Sequence, residues 1–100
     1  MGRYKVRILP AAQEDMAEIV DYLNTLSPQS ALRYYDMLVE KIESLSNMPE
    51  RCAMARDAQL HLRGYRFMVV ENYLVFFLIV GETVQVRRIL YGRRQYESLL

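Results

Sequence analysis

The stretch YLVFFLIVGETVQVRRILYGRRQYESLL, residues 73–100, decides how this chain folds. Residues 73–80 are all apolar or aromatic, types that pack well on a pleated surface. A strand apolar on both faces belongs at the centre of a sheet, covered on each side. Gly81-Glu82 supplies a turn, and residues 83–90 return as the next antiparallel strand. Gly92 breaks that strand, leaving residues 93–100 room for no more than a short terminal helix. Four arginines, Arg87, Arg88, Arg93 and Arg94, fall within eight residues of the return, with Tyr91 and Tyr96 beside them. The strand at 73–80 is read as core and the arginines as groups displayed at its edge.

Upstream, residues 62–70 set Tyr65, Phe67 and Val69 against Arg66, Met68 and Val70, the period-two pattern of a strand. Glu71-Asn72 closes a hairpin in which Asn72 is the residue suited to a positive φ. Residues 50–61 show no clean period and read as a loop with one helical turn. Ser27-Pro28 is a cap followed by proline at the first helical position. The helix it starts has a buried stripe of Ala31, Tyr35, Leu38, Val39, Ile42 and Leu45.

Before it, Met16, Ile19, Val20 and Leu23 recur at helical spacing over residues 11–25, with Glu14, Asp15, Glu18 and Asp21 assigned to the wet face. Helices joined this tightly form an antiparallel hairpin. Residues 4–9 alternate Tyr4, Val6 and Ile8 with Lys5 and Arg7 as an edge strand, ended by Pro10. The order is β-α-α-β-β-β: one α+β domain spanning residues 1–100, with a helical hairpin packed on an antiparallel sheet.

A chain of 100 residues, 52% hydrophobic and 25% charged, supports one core and lies outside the disordered class. Its longest apolar run, residues 74–80, is too short to span a bilayer, and no leader pattern opens the chain. A soluble, cytoplasmic protein is expected. One cysteine, Cys52, and one histidine, His61, cannot form an internal disulfide or a His/Cys zinc site. No metal or cofactor is therefore expected. The net charge of +1 hides an asymmetry: residues 1–50 carry five basic against eight acidic side chains, and residues 51–100 carry eight against four. The C-terminal half is the side expected to meet an acidic partner or a nucleic acid.

Element order together with PAAQEDMAEIVDYL (10–23), MPER (48–51), LRGYRFMVVENYLVFFLIV (62–80) and RRILYGRRQYESLL (87–100) resembles the RelE/ParE superfamily of toxins from type II toxin–antitoxin modules. The resemblance covers nearly the whole chain; its most specific parts are NYLVFF at 72–77 and RRILYGRR at 87–94. It implies a small bacterial toxin, associated with growth inhibition and plasmid stabilization, that a cognate antitoxin neutralises. RelE-like members are ribosome-dependent mRNA interferases. ParE-like members lack that catalytic set and inhibit DNA gyrase.

Cleavage of RNA by its own 2′-OH needs a base, cations for the phosphate charge and an acid for the leaving oxygen. The positions at which RelE-like members carry two lysines and an arginine on the middle strands fall on Tyr65, Phe67 and Leu74. The arginine after the last strand survives as Arg94, while Tyr96 is near the place of the C-terminal tyrosine but out of register. The resemblance is therefore closer to ParE. It implies a gyrase-binding surface of Arg87, Arg88, Tyr91, Arg93, Arg94 and Tyr96. The alternative is a ribosome-dependent nuclease using Arg94, Arg66 and Tyr96 in altered roles.

Plainer roles weigh against both. Arg87 and Arg88 are adjacent on a strand and should point to opposite faces, so one of them is expected to be solvated or paired with Glu18 or Glu43. Arg93 and Arg94 suit a solubilising patch, and Tyr22, Tyr34 and Tyr35 suit helix packing. The antitoxin is expected to cover the groove beside the helical hairpin and an exposed edge at residues 4–9 or 83–90.

Overall fold

The computed structural model of the protein describes residues 3–92 and Leu100. Its elements are β1 (Lys5–Ile8), α1 (Pro10–Leu26), α2 (Pro28–Glu43), α3 (Ala58–Leu62), β2 (Arg66–Val70), β3 (Tyr73–Val80) and β4 (Thr83–Tyr91). This is the expected α+β order, with α3 in the place of the helical turn expected within residues 50–61. The short terminal helix expected over 93–100 lies outside the described residues.

The four strands form one sheet in the order β1-β4-β3-β2. β3 lies in the interior, as its uniformly apolar sequence requires, antiparallel to both neighbours. β1 runs parallel to β4, from Lys5 opposite Thr83 to Ile8 opposite Val86, so the sheet is mixed rather than wholly antiparallel. This pairing places β4 in the interior too. The edges are β1 and β2, and the expected free edge at residues 83–90 is occupied by β1 over residues 83–86.

β3 sorts its side chains strictly by parity. Tyr73, Val75, Phe77 and Ile79 join a cluster with α1 and α2, built on Met16, Ile19, Leu38, Ile42, Val84 and Val86. Leu74, Phe76 and Leu78 face the other way, into a smaller cluster with Ala55, Leu60, Tyr65, Phe67 and Leu90. A single strand thus feeds two cores on opposite faces of one sheet.

The helical hairpin turns on Ser27, which serves both helices. Its N–H donates to the Leu23 carbonyl (2.8 Å) at the end of α1, and its hydroxyl accepts the Ser30 N–H (3.3 Å) at the start of α2. Three expectations fail along these helices. Tyr22, read as a packing residue, is 61% exposed. Asp15, assigned to the wet face, is buried, because it lies beside Met16 on the seam that α1 presses against the sheet. Tyr35, assigned to the buried stripe, is exposed, because it borders an open groove against Met16, Val20 and Val39 instead of a packed neighbour.

Residues 50–61 are more ordered than their sequence suggests. A 3-10 turn over Pro49–Arg51 follows Met48, whose φ of 48° is left-handed. Arg51 holds that turn through the carbonyl of Asn47 (2.5 Å) and the hydroxyl of Ser44 (3.0 Å). Asp57 then caps α3 by accepting the Leu60 N–H (3.0 Å), and α3 takes in Leu62, so β2 begins only at Arg66. In the next hairpin the positive φ falls on Glu71 (55°), not on Asn72. Among the described residues no helix is long and apolar enough to cross a membrane.

Candidate target-binding surface on β4

β1 stops at Ile8, and Leu9 gives one last N–H to the Val86 carbonyl (3.0 Å) before Pro10 opens α1. β4 continues to Tyr91 without that neighbour, which would leave ladder groups unpaired beside a packed helix. Asp15 takes the place of the missing strand. Its Oδ2 accepts the Ile89 N–H at 2.8 Å and the Arg88 Nε–H at 2.7 Å, and its Oδ1 accepts the Arg88 Nη2–H at 3.0 Å.

The side-on guanidinium–carboxylate pair combines charge with fixed geometry. Hydrogen bonding to Asp15 raises the Arg88 pKa further, against the opposing effect of burial. The ion pair expected with Glu18 or Glu43 is thus made with Asp15. The signal was faint: Asp15 lies one residue from the apolar stripe.

A β-bulge sits at the same point. Phe76 is opposite Arg88 and Phe77 opposite Val86, so Arg87 is an extra residue in β4. The parity of the strand therefore resets: Val84 and Val86 face the helices, and so does Ile89. Adjacent residues at a bulge need not diverge, and Arg87 and Arg88 in fact line one cavity of about 300 Å³. Leu9, Pro10 and Ala11 at the start of α1 form another part of its wall, with Tyr65 and Leu100. Arg87 is half-buried, and its Nη1 makes a long contact to Gln85 Oε1 (3.5 Å).

Tyr91 lies beyond the bulge, exposed, with its ring edge-on to Tyr73 at 5.9 Å. Tyr73 in turn meets Tyr34 of α2 edge-on at 6.5 Å, and burial raises its phenol pKa. The tyrosines thus form a row from α2 to the end of β4. Arg93, Arg94 and Tyr96 lie outside the described residues.

The opposite face of the sheet is apolar. Tyr65 is buried, and Phe67 and Leu74 are half-buried in the apolar cluster with Phe76 and Leu90. A cavity of about 270 Å³ opens on this face between Phe67, Val69, Leu74 and Phe76, and Arg56 is the one ionisable group among its described lining. Arg66 donates from Nη1 to the carbonyls of Cys52 (2.7 Å) and Glu50 (3.2 Å), fastening the preceding loop to β2. Among the described residues no group of three or more His, Cys, Asp or Glu side chains could hold a metal ion.

Comparison with known proteins fits this architecture. The model of the ParE toxin of the type II toxin–antitoxin system parDE matches residues 6–96. Among solved structures, a chain of the chromosomal ParDE toxin–antitoxin system from P. aeruginosa superposes with a TM-score of 0.76 at 22% identity, covering 89% of this chain and 96% of that one. A chain of the RelBE2 toxin–antitoxin complex from Mycobacterium tuberculosis gives a TM-score of 0.65 at 21% identity, covering 89% and 98%. No curated protein gives a significant match. With the family match extending over nearly its whole length, the chain belongs to the ParE toxin family of type II toxin–antitoxin systems, within the RelE/ParE superfamily.

Proposed function

We propose that this toxin acts by binding DNA gyrase, with no nuclease chemistry of its own, and that a cognate antitoxin protein neutralises it. The observation that carries the first part is the packing of Tyr65, Phe67 and Leu74. These positions would hold the cationic and basic groups of a RelE-like nuclease. Here they are apolar or aromatic side chains in a core, and none supplies a cation for the phosphate or a base for a 2′-OH at neutral pH.

The target surface is then β4 and the segment after it: Arg87, Arg88 and Tyr91, continued by Arg93, Arg94 and Tyr96. Arginine and tyrosine are the residue types that dominate protein interfaces, and a strand braced by Asp15 presents them on a rigid element. For the antitoxin, the groove lined by Met16, Val20, Tyr35 and Val39 offers apolar surface, and β1 offers a strand edge, whereas residues 53–55 already pair with the start of β2. A gyrase target implies action in the bacterial cytoplasm, with growth inhibition as its consequence.

Purified toxin should block ATP-dependent supercoiling by gyrase in a dose-dependent way, and pre-mixing with the antitoxin should restore it. Undiminished supercoiling at large molar excess of a folded toxin would rule gyrase out.

A further inference from the structure

We infer that the cavity between the start of α1 and the β4 bulge is a carboxylate-binding subsite, which takes an Asp or Glu side chain of a protein partner. The inference rests on the reading of β4 as a protein-binding surface and adds the chemistry of one contact on it.

Three observations converge there. The first is the uncapped start of α1: Pro10 occupies the first position, Leu9 makes no side-chain cap, and the first turn contains no acidic residue. The N-terminal N–H groups of a seventeen-residue helix therefore retain their attraction for an anion, and Ala11 belongs to the cavity wall. The second is cationic. Arg87 and Arg88 line the same space, and the long contact to Gln85 occupies one of the Arg87 N–H groups. Arg88 is oriented by Asp15 and contributes field more than new hydrogen bonds. The third is Tyr65. It is 1% exposed, belongs to the lining, and has a hydroxyl with no hydrogen-bond partner among the described residues. Buried hydroxyls are ordinarily paired, and an acceptor in the cavity would complete this one.

The charge count selects a carboxylate over a phosphate. Asp15 already neutralises part of the arginine pair, which suits a monoanion better than a dianion. Leu9 and Pro10 make part of the wall apolar, fitting the methylene stem of an acidic side chain, while the Leu100 main-chain oxygen is already held by Arg63 Nη2 (3.3 Å).

The test is an NMR titration of the ¹⁵N-labelled full chain with sodium acetate and, separately, inorganic phosphate, against sodium chloride at equal ionic strength. Acetate is expected to give saturable shifts at the Ala11 and Ala12 amides and the Arg87 Nε–H. Arg87→Gln should weaken that binding about tenfold, and Tyr65→Phe by a smaller factor. Both variants are checked for folding by the dispersion of their spectra. Shifts that fail to saturate, that spread over the surface, or that survive Arg87→Gln would overturn the subsite. Phosphate binding more tightly than acetate would overturn the choice of carboxylate. Because the readout involves no gyrase, a failed titration leaves the target proposal standing, and a failed supercoiling assay leaves the subsite standing.

Discussion

The two faces of the sheet are built from the same strands yet differ in what they are built to do. On one face α1 and α2 lay a continuous apolar seam over β3 and β4, and Asp15, the one charged group buried in it among the described residues, is fully engaged. On the other face a five-residue helix and an irregular loop cover a smaller cluster, and a cavity stays open between Phe67 and Leu74. The first face is sufficient to explain the fold. On the second, Tyr65, Phe67 and Leu74, the positions that the resemblance matched to charged residues of a nuclease, pack with Phe76 and Leu90 in an apolar cluster.

The contrast is sharpest in a matched pair of truncations. Leu38 and Leu60 are both essentially fully buried, one beneath each cluster. Leu38→Ala should cost about 4 kcal/mol, because two long helices and the sheet hold the cavity open. Leu60→Ala should cost about 2–3 kcal/mol, since a short helix between loops can close on the space it leaves. Urea denaturation of both variants checks this, and equal losses would mean that the two faces are equally rigid.

A second comparison concerns the Asp15–Arg88 pair of the first face. Asp15→Ala strips acceptors from Arg88 and the Ile89 N–H together, and with Arg88 22% exposed the loss should be about 2–3 kcal/mol. Arg88→Met leaves Asp15 its backbone donor and should cost less. If the order of the two variants is reversed in thermal denaturation, Asp15 is not the group that stands in for β1 along β4.

The smallest effect tests the link between the faces. Tyr4, packed at the margin of the first cluster, donates its hydroxyl to Glu50 in the segment that leads to the second face. That hydrogen bond lowers the Glu50 pKa below its usual 4.5 and raises that of Tyr4 above its usual 10.0. The depressed carboxylate contributes stability above 4.5 that is lost as pH falls through its folded value. The elevated phenol contributes stability below 10.0 that is lost as pH rises through its folded value. Tyr4→Phe should therefore flatten both shoulders of the pH–stability profile and leave its slope near neutrality unchanged. Unaltered shoulders in the variant would show that the bond does not couple to folding.

Much of this architecture was legible in the sequence because it rests on local periodicity. The parity of residues 73–80 sorted the two cores, and Ser27-Pro28 located the break between helices to the residue. What escaped depended on contacts between distant segments. Nothing in residues 5–8 says that they pair parallel to residues 83–86, and without that pairing β4 reads as an edge. Asp15 looks like any acid on a wet helix face until β1 ends short of β4 and leaves the Ile89 N–H to be satisfied. The bulge at Arg87 is likewise silent, since adjacent arginines on a regular strand would diverge, yet here they share a wall of one cavity. The absence of charge at Tyr65, Phe67 and Leu74 was plain from the sequence; that these side chains pack as a core required the structure.

The claim that the second face is a core and not a catalytic site is tested most directly by adding purified toxin to translating ribosomes and mapping the mRNA 5′ ends by primer extension. The same pattern of ends is expected with and without toxin, over the concentrations at which the proposed gyrase inhibition is assayed. New toxin-dependent cuts within ribosome-bound codons, relieved by the antitoxin, would contradict it.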